Sequence, residues 1–129
     1  MTNRRLCALA LLATAAIHLA VVPEHAREWP AAAVFFVLLT VAEAALAVVV
    51  LTGTSRRMLL VGGAVSLASA LLWAMSRTIG LPIGPEAFSP EAIAAPDVLA
   101  TVLEAFAAAV FVQLATRTAP SGVPARAHQ

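Results

Sequence analysis

The chain has 129 residues, of which 61% are hydrophobic and 12% charged, and its net charge is +1. A soluble domain is nearer half apolar and a quarter charged, and a globule this small has too little polar material here to cover its surface. Composition therefore excludes an ordinary soluble enzyme domain and a disordered chain. The single cysteine excludes an internal disulfide scaffold, and the near-neutral charge gives no reason to expect a nucleic acid partner.

The apolar residues fall into four blocks: Leu6–Val22, Ala31–Leu51, Met58–Ile79 and Val98–Ala115. A helix crossing about 30 Å of hydrocarbon needs about 20 residues, and only helices satisfy their backbone groups within one span. The expected fold is all-α, a four-transmembrane-helix bundle over residues 1–117, with spans at about 6–22, 31–51, 58–79 and 97–115. Residues 118–129, rich in Ala, Pro, Ser and Gly, read as a disordered cytoplasmic tail.

Charge assigns the orientation. Arg4, Arg5, Arg56, Arg57, Arg117 and Arg126 lie in segments that contain no acid. Glu24, Glu28, Glu86 and Glu91, with Asp97 at the mouth of span four, lie in the other two connections beside Arg27 alone. By the positive-inside rule both termini are cytoplasmic and the protein is a multi-pass protein of the plasma membrane. Met1–Ala20 also reads as a signal peptide with an Ala13-Thr14-Ala15 cleavage-like triplet. Its removal would leave three spans in the same orientation. The apolar run continues past the triplet to Val22, which favours a retained helix.

The outer connection Gly80–Pro96 holds Pro82, Pro85, Pro90 and Pro96. Ser89-Pro90-Glu91 has the form of a helix start, with a serine cap, a proline at the first position and an acid in the first turn, and predicts a short surface helix. Pro96-Asp97 predicts the start of span four in the same way.

Polar residues inside hydrocarbon are costly, so their spacing is informative. Cys7, Thr14 and His18 share one stripe of span one, and His25 extends it if the helix continues through Pro23. Thr40 and Glu43 share a face of span two, and Asp97, Thr101 and Glu104 a face of span four. Span three carries Gly62, Ser66, Ala70, Trp73 and Arg77 on one stripe whose small residues allow close helix approach. At 1.5 Å per residue, His18 lies roughly 6 Å, Glu104 about 10 Å and Arg77 about 3 Å inside the outer boundary, with Glu43 about 18 Å deep.

Imidazole nitrogen and carboxylate oxygen together bind divalent transition metals, so His18, His25, Glu28, Glu43 and Glu104 form the candidate ligand set, and a divalent metal ion is the cofactor they would take. The same groups suit a proton relay. The spacing His-x6-His-x2-Glu is not a strong metal signature, and no Glu-x-x-His pair of the di-iron bundle type occurs. The purely structural alternative has His18 bonded within the bundle, Glu104 in an ion pair with Arg77, and Trp29 and Trp73 as interfacial anchors. There is no nucleophile elbow, phosphate loop, kinase motif or HExxH, so no residue is nominated as catalytic.

Two segments, HLAVVPEHAREWPAAAVFF (18–36) and SRTIGLPIGPEAFSPEAIAAPDVLATVLE (76–104), resemble those of small four-span integral membrane proteins of high-GC actinobacteria. The resemblance rests on His18, Glu24, His25, Trp29, Ser76, Arg77, Gly80, Leu81, Pro82, Gly84, Pro85, Glu91, Asp97 and Glu104. It implies four-span topology and brings no activity with it.

Three functional expectations follow. The first is a small metal-binding or proton-relay module of the lipid bilayer. The second is a structural or accessory subunit of a homo-oligomer or larger membrane complex, suggested by small size and the small-residue stripe. The third is a membrane enzyme or transporter for a small lipophilic substrate such as a lipid or quinone, for which one short bundle offers little room.

Overall fold

The structure is a computed structural model that describes residues 2–53 and 55–118. Four helices account for most of it: α1 (Asn3–Glu28), α2 (Pro30–Thr52), α3 (Arg56–Thr78) and α4 (Ala95–Arg117). Each is long and apolar enough to cross a membrane. The expected tail lies, from residue 119 onward, outside the described residues.

The helix boundaries follow from local chemistry. α1 continues through Pro23, so His25 stays on the same helix as His18. It stops where Pro30 forbids the preceding residue a helical conformation: Trp29 is extended, at φ −150° and ψ 91°. Pro30 then opens α2 at a position where its missing N–H costs nothing. α2 ends on Gly53, whose φ of 73° suits a residue without Cβ. The Arg4 guanidinium donates to the Val50 carbonyl at 2.7 Å, supplying one of the last-turn acceptors of α2 with a partner. α4 opens as its sequence predicts, with Pro96 and Asp97 in the first turn.

α1 packs along both α2 and α4, α3 packs on α4, and α2 barely touches α3. The order around the bundle is therefore α2, α1, α4, α3, with a loosely closed seam between the two ends of that series. The bundle has a basic end, carrying Arg4, Arg5, Arg56, Arg57 and Arg117, and an acidic end, carrying Glu24, Glu28, Glu86, Glu91 and Asp97.

Among the described residues the helices turn large apolar side chains outward. Leu9, Leu19, Val34, Leu38, Val41, Val48, Leu71 and Val102 are all more than half exposed. Such outward faces suit lipid, because in water each of these side chains would forgo about 1.5–3 kcal/mol of burial.

The apolar core lies toward the basic end, where Cys7, Leu11, Val50, Leu59 and Phe111 are essentially inaccessible. Here the small stripe of α3 is used within the chain. The Phe111 ring of α4 lies over Gly62, with ring carbons 2.6 Å from where a Cβ would stand. Gly62, Ser66 and Ala70 are all buried, so this stripe is an internal seam of the monomer.

The connection from Ile79 to Ala94 differs from expectation. The short helix predicted from Ser89 is absent: residues 85–88 form a turn and residues 89–94 have no regular structure. The cause is competition for the Glu91 groups. Its N–H donates to the Ser76 carbonyl at 3.0 Å and its carboxylate accepts from Arg77, so this stretch is fastened to the end of α3 rather than wound on itself. A Phe88 N–H to Leu81 carbonyl bond of 2.7 Å closes the loop. Gly80, at φ 74°, lets the chain pass: a Cβ there would lie 2.5 Å from the Phe88 and Ser89 backbone.

Gly62→Ala is expected to destabilise the bundle by about 1–3 kcal/mol, the usual cost of overpacking. Thermal unfolding in detergent checks this. A second change, Phe111→Leu, should restore part of the loss by removing the ring that collides.

Candidate functional site

Three helices each bring one ionisable side chain to the middle of the bundle. His18 of α1, Glu43 of α2 and Glu104 of α4 are 7%, 2% and 2% exposed. α1 lies between α2 and α4, so the face that carries His18 confronts both carboxylates. Cys7 and Thr14, on the same stripe, are equally buried.

The His18 Nδ1 and a Glu43 carboxylate oxygen are 3.0 Å apart. One ligand atom from each of His18, Glu43 and Glu104 can be chosen so that all three lie within 4.8 Å of one another. The group is incompletely satisfied: Glu43 Oε1 and Glu104 Oε1 are buried with no hydrogen-bond partner among the described residues. Two nearby hydroxyls are engaged with backbone, while that of Ser69 faces the Glu104 carboxylate. Thr14 donates to the Ala10 carbonyl at 2.9 Å, and Thr40 to the Phe36 carbonyl at 2.8 Å. Two ionised carboxylates about 5 Å apart repel by roughly 3 kcal/mol even at an effective dielectric constant of about 20. An arrangement of this kind calls for a cation or a shared proton between its oxygens.

The other expected ligands stand apart. His25 bonds through Nδ1 to the Val21 carbonyl at 2.9 Å and packs on the Phe36 ring, with centroids 4.6 Å apart. Glu28 is exposed near the end of α1. Both are outside the three-residue group.

The expected ion pair between Arg77 and Glu104 does not form. Arg77 bonds instead to the Glu91 carboxylate and, at 2.7 Å, to Asp97. The reason is depth: Arg77 sits in the last turn of α3 and Asp97 in the first turn of α4, at one level, whereas Glu104 lies two turns deeper. The cation that would have neutralised Glu104 is thus committed to the rim.

Between rim and group lies a cavity of about 410 Å³. His18, Glu104 and Ser69 line its deep side, Arg77, Glu91 and Asp97 its rim. Its walls include the aromatic side chains of Trp29, Phe35, Phe36 and Trp73. Sequence reasoning places Trp29 and Trp73 only as interfacial anchors, and the chamber they wall depends on how loosely α2 meets α3.

Comparison with family models, curated proteins and solved structures found no match to the chain.

Arg77→Ala should release the connection from α3 and cost about 1.5–3 kcal/mol, the range for hydrogen bonds to charged groups. Limited proteolysis of reconstituted protein checks this: cleavage between residues 80 and 94 should accelerate in the variant and stay at the wild-type rate in Glu104→Gln.

Proposed function

We propose that this protein is a multi-pass membrane protein that holds one divalent transition-metal ion on His18, Glu43 and Glu104. The observation that carries this reading is the convergence of one imidazole and two carboxylates within 4.8 Å, with a carboxylate oxygen of each glutamate buried and unpartnered among the described residues. A borderline cation such as Zn²⁺, Fe²⁺ or Mn²⁺ suits a mixed nitrogen and oxygen donor set. Three protein ligands leave a coordination position open, as in metal sites that act on a further ligand. The distribution of arginines supports an orientation with both termini in the cytoplasm and the acidic end outside, in the plasma membrane.

Metal analysis of purified protein reloaded with Zn²⁺ or Mn²⁺ tests the site. The wild type should retain about one ion per chain, and His18→Ala, Glu43→Gln and Glu104→Gln should each lose it, whereas His25→Ala and Glu28→Gln keep it. Because the ligands bind in their deprotonated forms, the retained metal should fall as the pH is lowered. Negligible metal in the wild type would leave the shared-proton reading of the same three residues. For orientation, a C-terminal fluorescent protein should be bright and a C-terminal alkaline phosphatase inactive; the reverse would overturn the assignment.

A further inference from the structure

We infer that the cavity at the acidic end is a binding site for a neutral, ring-bearing lipophile with a carbonyl oxygen, the chemistry of a quinone. The inference does not require the metal ion and goes beyond that reading.

Size comes first. About 410 Å³ is at the small-molecule end of ligand pockets, which run from about 300 to 1,000 Å³. Packed interiors rarely keep voids much larger than a water molecule, so a chamber of this volume stands out as room for a small molecule.

The walls define the body of that occupant. Trp29, Phe35, Phe36 and Trp73 supply four aromatic side chains, and Leu72, Ile17 and Val21 add aliphatic surface. Such walls favour a flat ring, which stacks or packs edge-on against aromatic faces.

Two unused donors define its polar atom. Trp73 Nε1 and Arg77 Nε are buried and have no hydrogen-bond partner among the described residues. Both belong to residues that line the chamber, and the guanidinium lies 6.0 Å from the indole centroid. Each of these atoms only donates. A buried donor left unmade is costly, and an acceptor oxygen held in the chamber would satisfy either one after a small turn of its side chain.

Charge then separates the classes of ligand that carry one. The chamber's ionisable groups are His18, His25, Arg77, Glu91, Asp97 and Glu104. Arg77 is already bonded to two carboxylates, so a fatty-acid carboxylate would meet a surplus of negative charge. An amphipathic ammonium ion would suit that charge but would bring no acceptor to the indole and guanidinium N–H groups. A neutral carbonyl meets both conditions.

The route of entry is the seam between α2 and α3, which barely touch. Ala31, exposed at the start of α2, belongs to the chamber wall. A molecule dissolved in the bilayer reaches the chamber through this seam without crossing an aqueous phase.

The test is equilibrium binding of 2-methyl-1,4-naphthoquinone to chelator-treated full-length protein in nanodiscs, with empty nanodiscs as the partition control. Chelation separates the outcome from that of the metal reading. Saturable binding above the control is expected, weakened about 3- to 10-fold in Trp73→Phe, which keeps a ring and removes the N–H. Ala31→Trp, which fills the entrance, should weaken it more than about 10-fold. Leu38→Ala, on the outward face of α2, should leave it within about 2-fold. Palmitate and dodecyltrimethylammonium, run in parallel, should bind more weakly than the quinone. Absence of a saturable component, wild-type affinity in both Trp73→Phe and Ala31→Trp, or tighter binding of either charged amphiphile would overturn the inference.

Discussion

Three ionisable side chains whose ligand atoms lie within 4.8 Å of one another inside a bundle need their charges balanced at that place, because burial makes an uncompensated charge costly. That constraint organises the acidic half of this molecule. His18, Glu43 and Glu104 come from three different helices, so whatever neutralises them also fastens α1, α2 and α4 to one another. The His18–Glu43 contact at 3.0 Å is the visible part of this fastening. The remaining carboxylate oxygens are the part left for a cation or a proton. The opposite half has no such demand and is filled by ordinary apolar packing around Phe111, Leu11 and Val50.

The division also accounts for how Arg77 is used. A guanidinium near the end of a span is drawn toward the polar boundary, where its planar fork can serve two carboxylates at once. By taking Glu91 and Asp97 it ties the irregular connection to the ends of α3 and α4. It also leaves Glu104 with His18, rather than an arginine, as its basic neighbour. The rim is thus internally compensated, while one carboxylate oxygen of each deep glutamate keeps no partner among the described residues.

The four helices were legible in the sequence because hydrocarbon imposes length and apolarity on each span separately, and both are local properties. The stripes through His18, Glu43 and Glu104 were legible for a related reason: a polar residue in lipid has one tolerable direction to face. Pairing was not. Arg77 and Glu104 lie on stripes that suggest a meeting, but the choice between Glu104, Asp97 and Glu91 depends on the vertical offset of α3 against α4, which no periodicity encodes. Ser89-Pro90-Glu91 has every local mark of a helix start, yet the groups that would begin that helix are bonded to Ser76 and Arg77, and tertiary bonds outweigh a single turn's propensity. The separation of α2 from α3, and so the chamber, is likewise a property of the whole bundle.

The placement of the aromatic residues has an optical consequence. The chain contains two tryptophans and no tyrosine, and both indoles, Trp29 and Trp73, are in the chamber wall. Near-ultraviolet emission from this molecule therefore originates almost wholly at one address. Its colour and lifetime report the polarity of a single compartment, so the protein arrives with a built-in reporter and needs no dye to reveal when that compartment fills or empties.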